Sequence, residues 1–236
     1  MTAPWWQREW LAIDLETTGL DVETDRIVSA ALVWGNGGEP AETHTWLTDV
    51  GGADIPADAV AIHGIRTVTA HRHGRPLRTV VEEITRHITR AITSGTPVIA
   101  ANAPFDLTML DRELGRQNLG SLVWQTGQMP LVLDPLVIDR QVDRYRDGPR
   151  SLAGLCKHHK VNHLRPHQAD ADAIAAARVM HELVRLHPQL REVDLPTLHQ
   201  QQSAWARQQD AARAEHRRRG GHWPLTPRPQ NGDHWC

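Results

Sequence analysis

Residues Glu9 to Glu16 read Glu-Trp-Leu-Ala-Ile-Asp-Leu-Glu, an apolar run that ends in acids and then Thr17-Thr18-Gly19. Such a run, closed by a turn, predicts a buried strand. Acids at i and i+2 of a strand project to the same side. Asp14 and Glu16 are therefore like charges held side by side next to a buried strand, which is costly unless a cation sits between them. The spacing alone is not diagnostic. Asp21-Val-Glu23 and Asp111-Arg-Glu113 share it, and a pair of solvated strand-end acids is the plainer alternative.

The residues after this run continue a sheet. Arg26 to Trp34 predicts a second strand closed by Gly35-Asn36-Gly37-Gly38, and Glu42 to Leu47 alternates and is β-branched, a third. Two short connections make an antiparallel meander. Leu77, Val80, Val81, Ile84, Ile88 and Ile92 fall at the spacing of an amphipathic helix over 76–92. A short buried strand over 97–101 follows, then a helix from about Asp106 to Gly115, and a fifth strand over 131–134. Ser151 predicts an N-cap for a helix through His158. The Ala-rich segment from Ala169 to Leu186 is a long helix ended by Pro188. Beyond it the composition shifts to Gln, Arg, Ala and His, which predicts a C-terminal helix and a loose tail. The expected organisation is one domain over 1–190 and an extension over 191–236.

Composition narrows the function classes. At 236 residues, 40% hydrophobic and 23% charged, the chain is globular rather than disordered. No stretch reaches the ~18 apolar residues of a membrane helix, and Met1 to Arg8 lacks the apolar core of a secretory signal, so no membrane partner is expected. Cys156 and Cys236 are the only cysteines, too few and too far apart for a disulfide framework or a zinc site. A reduced, cytoplasmic setting is the expectation. The formal net charge of −2 excludes a polycation that holds nucleic acid by bulk charge. Phosphate contacts must be local or bridged by metal ions.

Two further elements carry acids. Asp106 ends Asn102-Ala-Pro-Phe-Asp106 and emerges at a strand end or helix start, where a helix N-cap is the plain alternative. His167 lies five residues ahead of Asp172 where the long helix begins. His44 and Asp49 have the same separation but lie in a strand.

Taken in order, Asp14-Leu-Glu-Thr-Thr-Gly-Leu20, Ile62-His-Gly-Ile65, Asn102-Ala-Pro-Phe-Asp106 and His167-Gln-Ala-Asp-Ala-Asp172 resemble the DEDDh, or DnaQ-like, family of 3′–5′ exonucleases. The proofreading, epsilon-like branch is nearest in pattern, and the likeness covers about residues 9–186. It implies an α/β, RNase H-like fold: a five-stranded mixed sheet with helices on both faces, here with a C-terminal helical extension. It implies that Asp14, Glu16, Asp106 and Asp172 hold two metal ions, and that His167 is the general base for the attacking water. Four carboxylates are hard oxygen ligands that suit Mg²⁺, with Mn²⁺ able to substitute. Two such ions about 4 Å apart clamp the attacking and leaving oxygens of a phosphoryl displacement. An imidazole with a pKa near ~6.5 suits a base at neutral pH.

By the same resemblance Thr17 and Thr18 lie against the terminal nucleotide, His63 and Ile65 near its sugar and base, and Phe105 beside the scissile bond. Asn102 either contacts the substrate backbone or organises the turn before Asp106. His63 as an ordinary loop histidine is the alternative. Asp134, before Pro135, reads as a turn or cap, and Asp170 lies on a different helix face from Asp172. Arg207, Arg213 and Arg217 to Arg219 either bind phosphates or form a solvated helix face with Asp210 and Glu215.

The expected activity is metal-dependent hydrolysis of terminal phosphodiesters at single-stranded or frayed DNA 3′ ends, releasing 5′-mononucleotides, in proofreading or repair. An RNA-trimming exonuclease of the same family is the second reading. A catalytically inert nucleic-acid-binding or polymerase-docking module is the third, and it predicts a broken ligand set. Whether a DNA polymerase is a partner is left open by the sequence.

Overall fold

A computed structural model of the protein describes residues 3–214. Strands β1 (Glu9–Thr17), β2 (Ile27–Asn36) and β3 (Glu39–Leu47) form the expected antiparallel meander. Two seven-residue helices, α1 (Ala57–His63) and α2 (Thr67–His73), precede α3 (Leu77–Ser94). Strand β4 (Val98–Ile99) runs parallel to β1 and leads into α4 (Ala103–Arg116). Helix α5 (Leu122–Thr126), strand β5 (Val132–Leu133, parallel to β4) and helix α6 (Pro135–Val142) follow. Helices α7 (Leu152–His159), α8 (Ala169–Leu186) and α9 (Leu195–Ala214) complete the described chain. The strand order β3-β2-β1-β4-β5 is the mixed five-stranded sheet that the resemblance implies.

The alternation of β1 assigns the two faces. Leu11, Ile13 and Leu15 pack with Leu77, Val80, Ile84 and Ile88 of α3 and Leu107 and Leu110 of α4. Trp10 and Ala12 pack on the opposite face with Ala173, Ala176, Ala177 and Met180 of α8. Asp14 and Glu16 share the parity of Ala12, so they look toward α8. The alanines on that helix let its backbone lie close to the sheet, which brings its first turn over the end of β1.

Several elements differ from the sequence reading, each for a physical reason. Strands β4 and β5 are shorter than expected because the chain turns away at Asn102 and Asp134. Helix α4 begins at Ala103 rather than Asp106. Pro104 occupies its first turn, where a missing N–H costs nothing, and Asn102 before it is left-handed (φ 68°). Asp106 is thus inside the first turn, not a cap. Asp134 caps α6, accepting from Leu136 N–H at 2.8 Å, and also accepts from Ala103 N–H at 3.0 Å. Ser151 caps α7 as expected, accepting from Gly154 N–H.

Helix α9 is more than an appendage to this sheet. β5 is an edge strand whose open amides would otherwise be exposed. Val132 N–H donates to His199 Nδ1 at 3.0 Å, Asp134 N–H donates to Gln202 Oε1 at 2.8 Å, and Gln202 Nε2 donates to Val132 O at 2.9 Å. Leu195, Leu198, Gln202 and Ala206 are buried beneath the helix, while Arg207 on its outer side is exposed. The expected loose tail, with Arg217 to Arg219, lies outside the described residues.

Candidate active site

The sheet opens where β4 stops. Only Leu11 and Ala12 of β1 pair with β4, so the amide of Leu15 has no strand partner on that side. The Asp106 carboxylate fills the place: Leu15 N–H donates to its Oδ1 at 3.0 Å. This single bond sets the first turn of α4 against the end of β1 and brings Asp106 beside Asp14. From the other face, α8 delivers Asp172, and oxygens of Asp14, Glu16 and Asp172 all lie within 4.8 Å of one another.

The electrostatics record the crowding. Burial, then the charges of Asp106, Asp172 and Glu16, holds the Asp14 carboxyl well above the usual carboxylate range. Burial and Asp172 push Glu16 up to about 7. Asp106 is raised as well, by burial, against the pull of the Leu15 amide. Among the described residues no arginine or lysine forms an ion pair with Asp14, Glu16 or Asp106. Buried, mutually repelling oxygens without a cationic side chain are the donor set of a divalent-metal site.

The turn after Glu16 is held by its own side chains. The Thr18 hydroxyl donates to Asp25 Oδ1 at 2.7 Å and accepts from Arg26 N–H at 3.0 Å, so it is spent on the turn. Thr17 Oγ1 donates to the Gly19 carbonyl. Gly19 has no space for a side chain, since a Cβ there would lie 2.4 Å from Asp25 Oδ2. Arg26 in turn grips the fully buried Glu113 of α4 through two bonds of 2.8 and 3.1 Å.

Two depressions flank Glu16. A cavity of about 570 Å³ is lined by Glu16, Thr17, Thr18, Leu20, Ile62, His63 and Phe105. A smaller one of about 240 Å³ is lined by Glu16, Trp46, His63, Ile65, His167 and Asp170. Of the sequence-predicted residues, these bring together Glu16, Thr17, Thr18, His63, Ile65, Phe105 and His167, around the cluster that holds Asp14, Asp106 and Asp172. Asn102 is not among them. It faces a separate cavity with Asp134, Arg140, Arg150 and Gln209, between the start of α4 and α9. His63 accepts from Ile65 N–H through Nδ1 at 3.1 Å, so its ring proton sits on Nε2, a buried atom with no partner among the described residues. Burial lowers the pKa of this imidazole.

The two histidines before α8 behave differently. His167 is exposed, in a left-handed conformation (φ 63°), and its backbone N–H donates to Asp172 Oδ2 at 3.2 Å. His163, which the sequence reading did not single out, places Nε2 at 2.5 Å from Asp172 Oδ1. Its separation of nine from Asp172 matches no helix or strand repeat. Only the fold of the intervening loop makes the contact. Asp170 pairs instead with Arg165 at 2.6 Å, in keeping with its place on another face.

A family model described as "Exonuclease", the RNase T type, matches residues 11–180. The chain belongs to the DnaQ-like 3′–5′ exonuclease family. Members of this family depend on divalent metal, and the acidic cluster is present here. Among curated family relatives, the 3′-5′ exonuclease DinG of Bacillus subtilis is 27% identical over 197 residues, covering 82% of this chain and 19% of that protein. A PolC-type DNA polymerase III of Lacticaseibacillus paracasei is 25% identical, covering 74% of this chain and 11% of the polymerase. E. coli exonuclease I, solved in complex with a dT13 oligonucleotide, shares the fold with a TM-score of 0.67 at 21% identity, covering 79% of this chain and 43% of that one. The chain thus spans less than half the length of each. No helix among the described residues is long and apolar enough to cross a membrane.

Proposed function

We propose that the chain is a metal-dependent 3′–5′ exonuclease that hydrolyses the terminal phosphodiester of single-stranded or frayed DNA and releases 5′-mononucleotides. The observation that carries this reading is the convergence of Asp14, Glu16, Asp106 and Asp172 at the open end of β1, with no arginine or lysine among the described residues paired to any of them. Those four residues would hold two Mg²⁺ ions, or Mn²⁺ in their place. Ions bound there would supply the positive charge that an acidic pocket needs to accept a phosphodiester and to stabilise the charge of its displacement.

The remaining steps belong to the chain's own side chains. His167, exposed at the mouth of the smaller depression, takes the proton of the attacking water at its free ring nitrogen. The larger cavity receives the terminal nucleotide. Phe105 and Ile62 offer it apolar surface, Thr17 backs it from the turn, and the His63 Nε2–H is a buried donor for one of its oxygens. Ile65 closes the other side of His63. Asn102 serves to set the turn before Asp106, given its left-handed backbone. Residues 1–190 form the catalytic domain, and the 191–236 extension locks the sheet edge through α9.

DNA as substrate draws support from E. coli exonuclease I, which binds a dT13 strand on this fold. The PolC-type relative supports a polymerase as partner and proofreading or repair as the role. A cytoplasmic location accords with the presence of only two cysteines in the sequence. Digesting 3′-labelled DNA and RNA oligonucleotides of the same sequence side by side with Mg²⁺ tests the substrate. Faster loss of DNA label is expected. Faster trimming of RNA would replace the DNA reading with the ribonuclease one, and no release from either would leave only an inert binding module.

A further inference from the structure

We infer that His163 is a positioning residue for the ion site: it holds the Asp172 carboxylate in the orientation that metal binding needs. This rests on the reading of Asp172 as a metal ligand. The ring Nε2 lies 2.5 Å from Asp172 Oδ1, and the His163 side chain is 8% exposed. An ionised carboxylate can only accept, so the proton between them is on the imidazole. The second oxygen, Oδ2, accepts the backbone N–H of His167. Asp172 is therefore gripped at both oxygens, each of which keeps a further lone pair for a cation.

The grip is built, not incidental. The loop from Lys160 to Gln168 is tied down at both ends. Val161 N–H donates to Cys156 O at 2.9 Å, and the half-buried Val161 packs against the core cluster that includes Ala173, Ala176 and Met180 of α8. Arg165 bonds Gln168 Oε1 at 2.7 Å and Asp170 Oδ2 at 2.6 Å, clipping the loop to the first turn of α8. His163 is consequently aimed inward, while His167, four residues on, is left exposed. A carboxylate at a helix start rotates freely unless something fixes it. Partners of this kind around metal ligands are worth roughly 10–100-fold in metal affinity.

The test separates positioning from proton transfer and from mere stabilisation. Mn²⁺ binding to the 236-residue chain is measured by the electron paramagnetic resonance signal of free Mn²⁺, alongside the Mn²⁺ dependence of the exonuclease rate. Circular dichroism checks that each variant is folded. His163→Ala is expected to weaken Mn²⁺ binding by about 10–100-fold and to raise the half-maximal Mn²⁺ concentration for turnover by the same factor, while kcat at saturating Mn²⁺ stays close to wild type. His163→Gln, whose amide can still donate, is expected to recover part of the affinity. His167→Ala is expected to do the reverse, lowering kcat with Mn²⁺ affinity unchanged. Wild-type Mn²⁺ affinity in both folded His163 variants would overturn the proposal, provided Asp172→Asn weakens binding. If Asp172→Asn binds Mn²⁺ as wild type does, the ligand assignment of Asp172 falls first, and the role of His163 with it.

Discussion

The end of β1 and the loop before α8 meet at the same site but are built in opposite ways. β1 is a central strand whose floor residues Leu11, Ala12 and Ile13 have no exposure at all, and its acids are fixed by ladder pairing on one side and by Asp106 on the other. The loop from Lys160 to Gln168 is mostly exposed, carries His167 in a left-handed backbone, and reaches the cluster through side-chain bonds. The contrast fits a division of labour in the proposed mechanism. The acids that would hold the ions at fixed separation sit on or against buried, paired backbone. The histidine proposed to take up a proton sits on an exposed turn.

Substitutions at the rigid end have the largest expected effect. Asp14→Asn or Asp172→Asn should lower the rate by several orders of magnitude, on the order of 10³-fold or more, since the proposed two-ion site loses a ligand. For Asp14, whose neighbours are acids, removing the carboxylate relieves repulsion, so the metal-free stability of Asp14→Asn should hold or rise. Asp172→Asn instead sets an amide NH2 against one of its two donors and should be less stable. Rates and thermal melts of the two variants check both halves. Near-normal turnover would mean that the floor of the site was assigned wrongly.

On the exposed side the expected loss is smaller. His167→Ala should cost about 10²–10⁴-fold in kcat, the usual range for a general base. Single-turnover rates of both proteins at saturating Mg²⁺ decide the point, and an unchanged rate would move the proton transfer away from this loop.

A third way to sharpen the contrast is pH in the absence of turnover. Glu16 has its pKa raised from 4.5 to about 7 in the folded protein. Its stabilising contribution is thus fully present below pH 4.5 and is lost as pH rises through about 7. A bound divalent ion offsets the loss by pairing the ionised form. Saturating Mg²⁺ should therefore raise Tm more at pH 8 than at pH 6, and binding near pH 6 should release protons. Equal Mg²⁺ shifts at both values would contradict the crowding at β1.

How much of this was legible follows the same division. Asp14, Glu16 and the meander could be read because a strand writes its burial locally, residue by residue. Asp106 and Asp172 could be placed through the order of motifs. Helices α1 and α2 escaped the reading because seven residues each, broken by Gly64 and Gly74, hold too short a pattern to register. His163 escaped because its contact depends on how a loop folds back. Gln202 and His199 look solvated in a polar stretch rich in glutamine, and only the sheet edge beside them reveals their use.

That edge supplies the smallest expected effect. Gln202→Ala leaves the buried Asp134 amide without its acceptor and should destabilise the fold by about 1–3 kcal/mol. Exonuclease kcat at low temperature should stay near wild type. Urea unfolding monitored by fluorescence measures the first, and a large loss of kcat would tie α9 to the chemistry.

The most direct measurement follows a 5′-labelled single-stranded DNA oligonucleotide with wild type and Asp14→Asn, with Mg²⁺ and with excess EDTA. A ladder that shortens from the 3′ end is expected with Mg²⁺ and wild type alone, with 5′-mononucleotides as product. Undiminished digestion in EDTA or by Asp14→Asn, or early release of the 5′ label as a mononucleotide, would contradict the proposed function.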